Sequence, residues 1–466
     1  MRTTGIAFVA LWLTGCATAP VPDLSAASLP ERYSWDESWA PAQPADSLPK
    51  GPWWERFADP SLNDLQRVAV RNSPAVKIAL AHLDAARADA QAAAGALWPK
   101  IGITATHVRS RTSQEGPTYS PSRPNPGDDY NASVSLSYEI DLFGRIRSGA
   151  AAAAALAASA QADALAVDLA IRAEVTVTYF QLRSIDSQLD VVRESVAAQE
   201  KALQVLERQQ SAGSATLGDV ATARTQLESV RTLLADTQLR RSQTEHALAV
   251  LLGETPSNFH RPAAPLDRTM ALPRVFPGLP SALLQRRPDI ASAQRRVESA
   301  SAAVGLARRA FFPVFSVGAA LGRDSTRADH WFEAPARFWS LAPAAAATLL
   351  DGGQRRALVR RAVANLEEST ESYRRTVLTA NQEVEDQMAA VQLLEVAADS
   401  AAKSADAAWV SRTQALRRLD AGAATALEVA SAQNAVLTAR LNEIGITQRR
   451  ISATVLLVRA VGGYWE

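Results

Sequence analysis

The tightest constraint on this chain is a duplicated plan: two segments of alternating polarity lead into heptad-patterned stretches too long for the core of a globular domain. Ser73-Pro74 aligns with Arg287-Pro288, and Trp98-Pro99-Lys100-Ile101 with Phe312-Pro313-Val314-Phe315, at one offset: 288 − 74 = 214 and 313 − 99 = 214. Further along, Arg208, Gly213, Thr216, Asp219 and Val220 align with Arg417, Gly422, Thr425, Glu428 and Val429 at 422 − 213 = 209. The first half therefore carries 214 − 209 = 5 extra residues between its two strands, in a loop.

The strand pattern is clearest over residues 131–142. Ala132, Val134, Leu136, Tyr138, Ile140 and Leu142 fall on one face, and Asn131, Ser133, Ser135, Ser137, Glu139 and Asp141 on the other. Ile101 and Ile103 alternate with Gly102, Thr104 and Thr106, and the second half repeats the pattern through Phe315, Val317, Ala319 and Leu321, then Trp339, Leu341, Ala345, Ala347 and Leu349. Pro343 requires an edge or a bulge. Such strands suit a membrane barrel with lipid outside and water inside; a sheet on a soluble core gives the same alternation, and the strand at 131–142 alone leaves the two level.

From Arg145 to Gln210 no proline interrupts the pattern, and at roughly 1.5 Å per residue this is about 100 Å of helix. Val175, Leu182, Leu189, Val196 and Leu203 recur every seven residues, interleaved with Ile185, Val192 and Leu206. Val220, Leu227, Leu234 and Leu248 continue after the Gly213 turn; Val377, Val384, Val391 and Ala398, then Ala430, Leu437, Ile444, Ile451 and Val458, answer in the second half. Each half is thus an antiparallel helical hairpin following a strand pair, with the left-handed coiling that a seven-residue repeat imposes.

The chain divides into a signal segment (1–15), a Pro-rich tether (16–52), a first short helix (53–99), a first strand pair (100–142) and a first long hairpin (145–252). A Pro-rich connector (253–280), folded around the outside of the helices, joins these to a second short helix (281–313), strand pair (314–350), long hairpin (354–461) and tail (462–466). Helix is read from Leu62 to about Leu97, starting at Asp59-Pro60, with Trp53 to Phe57 packing on its end. A net charge of +1 without a basic stripe argues against a nucleic-acid partner. No run of about 18 apolar residues is found, so a membrane crossing would be made by strands. His82, His107, His246, His260 and His330 lack ligand spacing, so neither a metal site nor catalysis is expected; acids on heptad helices read as a solvated face.

The sole cysteine, Cys16, closes a segment made of Arg2, the apolar stretch from Gly5 to Leu13, and Leu13-Thr14-Gly15-Cys16. It resembles a bacterial lipoprotein signal, too short to span a bilayer and expected to be removed. The resemblance implies a diacylglyceryl group on Cys16, and the non-acidic Ala17 implies sorting to the outer membrane; the alternative is a lone free thiol. One lipid holds a protein weakly, so a stronger anchor is expected beside it. No cofactor other than this covalent lipid is expected.

Four strands cannot close a barrel, and an open edge in hydrocarbon leaves backbone groups unpaired at several kcal/mol each. Strands must come from further copies: a dimer gives eight and a trimer twelve. Eight strands enclose a lumen just filled by side chains, whereas the Ser-rich inner face calls for a wet one, which favours the trimer.

Trp53-Trp54-Glu55-Arg56-Phe57, Tyr138-Glu139-Ile140-Asp141-Leu142-Phe143-Gly144-Arg145, Gly278-Leu279-Pro280-Ser281, Leu284-Gln285-Arg286-Arg287-Pro288-Asp289-Ile290, Ala310-Phe311-Phe312-Pro313 and Gly462-Gly463-Tyr464-Trp465 resemble the outer membrane factors of tripartite efflux systems, TolC-like and OprM-like channels of the NodT lipoprotein type. The resemblance implies an α+β membrane protein: long antiparallel helical hairpins forming an α-barrel, and four transmembrane β-strands per chain closing as a trimeric 12-stranded β-barrel. It implies a homotrimer in outer membrane lipid, docked to a periplasmic adaptor and an inner-membrane transporter of the resistance-nodulation-division (RND) type, carrying small molecules such as drugs. A type I secretion or heavy-metal efflux channel shares this architecture, and a lipid-anchored coiled-coil tether would have no use for the strands.

The resemblance also places a periplasmic gate at Leu427, Ser431 and Asn434. Leu427 suits a ring that closes by dewetting. Relatives carry an acidic and a basic residue at the next two positions, so Ser431 and Asn434 put an ion-pair latch in doubt; ordinary heptad positions are the plainer alternative. The turns from Arg208 to Asp219 and from Arg417 to Glu428 resemble adaptor-contact tips. Gly213 and Gly422 suit left-handed helix ends, and Thr216 and Thr425 suit N-caps with Asp219 and Glu428 completing capping boxes; Arg208 and Arg417 could equally cap helix C-termini.

Overall fold

The computed structural model describes residues 51–117, 119–267, 270, 272–275 and 286–463. Cys16, the signal segment, most of the tether and the Gly278 to Ser281 and Leu284-Gln285 motifs lie outside the described residues. Two compact units are formed, one from Leu83–Ala160 with Ala293–Tyr373 and one from the described parts of Ser25–His82, Gln161–Ser292 and Arg374–Glu466.

After a 3-10 turn at Trp53–Phe57, helix α1 spans Pro60–Asn72. Asp59 caps it, accepting from the Ser61 and Leu62 N–H groups at 2.9 and 3.3 Å, and Leu62, Leu65, Gln66 and Ala69 form its buried stripe. The single helix expected from Leu62 to Leu97 is in fact two, because Pro74 forces Ser73 into extended geometry (ψ 121°) before α2 begins at Pro74–Gly95. Strands β1 (Lys100–Ser110) and β2 (Gly127–Ile140) follow, then α3 (Arg145–Ser211) and α4 (Leu217–Leu251). The second half gives α5 (Pro288–Arg309), β3 (Val314–Ser325), β4 (Arg337–Ala346), α6 (Gln354–Asp420) and α7 (Ala426–Ala460).

The duplication holds to the residue in the helices: α2 and α5 have 22 residues each, α3 and α6 have 67, α4 and α7 have 35. The loop from β1 to β2 has 126 − 110 = 16 residues and that from β3 to β4 has 336 − 325 = 11, which places the five-residue difference in the first loop.

The strands form one antiparallel sheet in the order β1-β2-β3-β4. Its register carries the alternation across all four strands. Ile101, Leu136, Ala319 and Leu341 share one rung, and Ile103, Val134, Leu321 and Trp339 another on the same face. Ser135, Gly102, Ala320 and Ser340 lie on a rung of the other face. Pro343 stands opposite Val317 on β4, which is an edge strand within the single chain.

In the helical unit the heptad residues form the core. Val175, Leu182, Ile185, Leu189, Val192, Leu203 and Leu206 of α3 are buried, as are Val377 and Val384 of α6 and Leu437, Ile451 and Val458 of α7. One expectation needs correction: α3 does contain an 18-residue window apolar enough, by length and composition, to cross a membrane. The stretch beginning Ala150-Ala151-Ala152-Ala153-Ala154-Ala155 explains it, since alanine methyls raise hydropathy without a bulky lipid-facing surface. The connector packs on the helices: the Ala264 N–H donates to Asp186 at 2.9 Å, the Leu266 N–H to Ser187 at 2.8 Å, and the Arg241 guanidinium to the Arg261 carbonyl at 2.8 Å.

Candidate functional site

The sheet is the first functional element. Its apolar face is bare of protein: Ile103 is 81% exposed, Leu321 65% and Trp339 77%. A soluble sheet would cover such a face, so the alternation that left two readings level resolves in favour of lipid. Both edges, β1 and β4, lack a neighbouring strand among the described residues.

The helical turns form the second element. At the end of α3, Gly213 takes φ +77°, the Ser214 N–H donates to the Gln209 carbonyl at 2.8 Å and the Gly213 N–H to that of Gln210 at 3.0 Å. At the end of α6, Gly422 takes φ +71°, with Ala423 to Arg418 at 2.8 Å and Gly422 to Leu419 at 3.0 Å. Both are Schellman turns, which require the left-handed conformation that glycine adopts without a Cβ clash. Thr216 and Asp219 make a reciprocal capping box, and the Thr216 hydroxyl and N–H hold the Asp219 carboxyl below its usual range.

The second box is half made. Thr425 accepts from the Glu428 N–H at 3.2 Å, but the Glu428 carboxylate pairs with Arg418 at 3.7 Å. The C-terminal cap also differs from expectation: Arg418, not Arg417, donates to the Ala423 carbonyl, at 2.9 Å. Arg208 and Arg417 stand exposed, with no side-chain bond among the described residues. Beneath the turns Leu203, Leu206, Val220, Ala223, Leu227 and Ala426 form one cluster that joins the hairpins.

Leu427, Ser431 and Asn434 follow the i, i+4, i+7 spacing on the first turns of α7, so they share one stripe. Leu427 is half-buried and Ser431 exposed; the carbonyl of Asn434 accepts a 2.9 Å hydrogen bond from the Gln199 amide of α3. Gln199, which also donates to the Ala430 carbonyl at 3.3 Å, was missed by sequence reasoning. Its signal was a polar side chain in the Val192, Val196, Leu203, Leu206 seam. Nearby, Glu194 meets Arg412 at 3.9 Å and Arg440 at 3.6 Å, while both guanidiniums lie over the Trp409 ring at 4.7 and 4.8 Å. Three helices are tied there through one acid, Glu194, of the kind that the sequence had assigned to a solvated face.

The Arg-Arg-Pro-Asp motif is an anchor. Buried Arg287 pairs with Asp289 at 2.6 Å and Glu383 of α6 at 2.7 Å, and donates to the Ala460 carbonyl at 3.0 Å. Burial disfavours the Asp289 carboxylate, yet the hydrogen bonds and charge of Arg287 outweigh it and hold its pKa below the usual range. Asp59 accepts from Tyr179 and Arg183 at 2.8 Å each, and burial together with that bond pushes the Tyr179 hydroxyl up to about 12. Among the described residues no group of three or more His, Cys, Asp or Glu side chains could hold a metal ion.

A lipid-facing sheet that cannot close within one chain, continuous with capped heptad hairpins, defines an outer membrane conduit. The chain belongs to the outer membrane efflux protein family, whose profile matches residues 65–254 and 279–463. It is similar to outer membrane protein OprJ of Pseudomonas aeruginosa, 30% identical over 465 residues that cover 98% of this chain and 95% of that protein. It is 29% identical to the toluene efflux pump outer membrane protein TtgC of Pseudomonas putida, covering 99% and 95% of the two chains. The structure of the outer-membrane channel OprN superposes with a TM-score of 0.85 at 27% identity, covering 96% of this chain and 98% of that one. The protein is therefore an efflux channel of the outer membrane, with its helices in the periplasm; its relatives are transport proteins rather than enzymes.

Proposed function

We propose that three copies close one 12-stranded barrel and act as the exit duct of a tripartite pump, docked through a periplasmic adaptor to an inner-membrane RND transporter and passing small molecules outward. The carrying observation is the sheet: a bare apolar face flanked by two open edges, which hydrocarbon tolerates only when neighbouring copies pair them. The exposed tips with Arg208, Gly213, Thr216, Asp219, Arg417, Gly422, Thr425 and Glu428 are the adaptor contacts in this reading. Leu427, Ser431 and Asn434 form the gate, and the duct performs no catalysis. Cys16 carries the lipid as an auxiliary anchor, so Cys16→Ala should abolish lipidation and leave trimers in the membrane; soluble monomers would contradict it.

Planar-bilayer conductance of the detergent-purified protein, with its mass measured in the same preparation, tests the reading. A trimer of small, mostly closed conductance is expected, rising with Leu427→Ser. Unchanged conductance in Leu427→Ser would count against the gate, and a soluble, non-conducting species would return the molecule to a tether.

A further inference from the structure

On the apolar face, the rung beyond Ile103, Val134, Leu321 and Trp339 reads Ala105, Ala132, Arg323, Arg337; two rungs further out on the same face Arg109 stands opposite Asp128. Asp129 and Asp324 have the opposite parity and belong to the luminal face with Asn131 and Ser133. Two guanidiniums thus stand directly opposite each other on neighbouring strands, an arrangement that costs energy unless an anion lies between them.

No carboxylate among the described residues fills that place. Neither Arg323 nor Arg337 has an ion pair among the described residues. Arg323 donates to the neutral carbonyls of Trp331 and Glu333 at 3.1 and 3.2 Å, which position it without cancelling its charge. The nearby carboxylates are engaged elsewhere: Glu333 with His330 at 2.9 Å and Asp128 with His107 at 3.0 Å. Ala105 and Ala132 leave the rest of the rung low, a shelf beside the arginines.

Height decides what can reach the shelf. The strand ends that lead into the helices are periplasmic, so this rung lies toward the cell exterior. From the Ile140–Phe315 rung to the Ala132–Arg323 rung is 140 − 132 = 8 residues, roughly 26 Å along the strand at about 3.3 Å each. With strands tilted about 35–45°, that is roughly 20 Å of height, which with the residues flanking Ile140 reaches the upper border of an apolar band about 25 Å tall.

We propose that Arg323 and Arg337 bind a phosphate group of phosphorylated glycolipid in the outer leaflet, forming a lipid-specific collar around the barrel. Charge complementarity selects the occupant: a guanidinium pair matches the oxygens of a phosphate monoester, and the bare apolar rungs below accept its acyl chains.

Native mass spectrometry of the detergent-purified full chain, titrated with diphosphoryl lipid A or with its fully dephosphorylated form, reads the collar. Wild type should retain the diphosphoryl form at about tenfold lower lipid concentration than Arg337→Gln, which breaks no bond among the described residues, and Arg337→Lys should fall between. Arg323→Gln/Arg337→Gln should lose the preference between the two lipids altogether. Planar-bilayer conductance, measured alongside, should be unchanged in all variants, which separates failure of the collar from failure of the channel. Equal retention by wild type and the double variant, or of both lipids by wild type, would overturn the proposal.

Discussion

The duplication predicts the one strand pairing that a single chain cannot display. Paired residues sum to 100 + 137 = 237 for β1–β2, 130 + 325 = 455 for β2–β3 and 314 + 346 = 660 for β3–β4. Applying the repeat offsets to the first pairing gives 237 + 214 + 209 = 660, which is the third. The same operation on the second maps β2 to β4 and β3 back to β1, giving 455 + 209 − 214 = 450 for β4 against β1 of the neighbouring copy. Leu341 should therefore stand opposite Arg109 of that copy, Pro343 opposite its His107 and Trp339 opposite its Arg111. Directly opposed residues have Cβ atoms about 4.5–5.5 Å apart, against about 7–8 Å on the diagonal, and a disulfide needs about 3.5–4.5 Å. Leu341→Cys with Arg109→Cys, oxidised in isolated membranes, should give covalent dimers and trimers on denaturing gels. The diagonal pairs Leu341→Cys with His107→Cys or with Arg111→Cys should give several-fold less, and Leu341→Cys with Val108→Cys almost none, because one residue of slip changes faces. Stronger linkage by either diagonal pair would refute the derived register; no linkage in any pair would refute closure through β4 and β1. Cys16 is the sole natural thiol, so background linkage is confined to it.

Arg287→Ala should lower trimer stability by about 3 kcal/mol, since it strands two part-exposed carboxylates and the buried Ala460 carbonyl; the shift of thermal dissociation toward lower temperature checks it. The Asp289 carboxyl has a depressed folded pKa, so its stabilisation is complete above about pH 4, its unfolded value, and is lost as pH falls through the folded one. The stability gap between wild type and Asp289→Asn should thus be flat from pH 5 to 8 and shrink below about pH 4, as thermal unfolding across pH would show; a gap that widens on acidification reverses the sign.

Much of the architecture was legible because it is periodic. Ala132 to Leu142 announced a two-faced strand, and Val175 to Leu203 a coiled seam, since each repeated position faces one environment. Aperiodic features were not legible. Ser73 breaks a helix through the geometry its neighbour Pro74 imposes, and Arg418 replaces Arg417 at a cap because only one guanidinium reaches the Ala423 carbonyl. Glu194, Trp409, Arg412 and Arg440 lie on three helices, so their meeting depends on the relative rotation of α3, α6 and α7, which no single heptad pattern specifies. The lipid-facing choice likewise waited for register: one strand is ambiguous, whereas four aligned apolar rungs with no protein cover are not.

The gate proposed at Leu427, Ser431 and Asn434 has a consequence for energetics. A latch of opposed charges loses strength as salt rises, because screening shortens to about 3 Å at 1 M, and it opens when either partner titrates. Here Asn434 is held by the Gln199 amide, Ser431 is uncharged and exposed, and Leu427 offers an apolar surface whose closure salt strengthens rather than weakens. The ion pairs close by, Glu194 with Arg412 and Arg440, tie helices of one chain at 3.6–3.9 Å and are reinforced by Trp409, so screening acts on them less than on an exposed pair between copies. Open probability at rest should therefore stay level or fall between 0.1 and 1 M salt, after conductance is normalised to bulk conductivity, and should be flat from about pH 5 to 8. Gln199→Ala should raise it, by up to about a hundredfold from a mostly closed state, since a hydrogen bond of about 1 kcal/mol per copy is removed three times in a trimer, about 3 kcal/mol together. An open probability that climbs steeply with salt would mean that charges hold the gate after all, and the amide pairing would then be only structural.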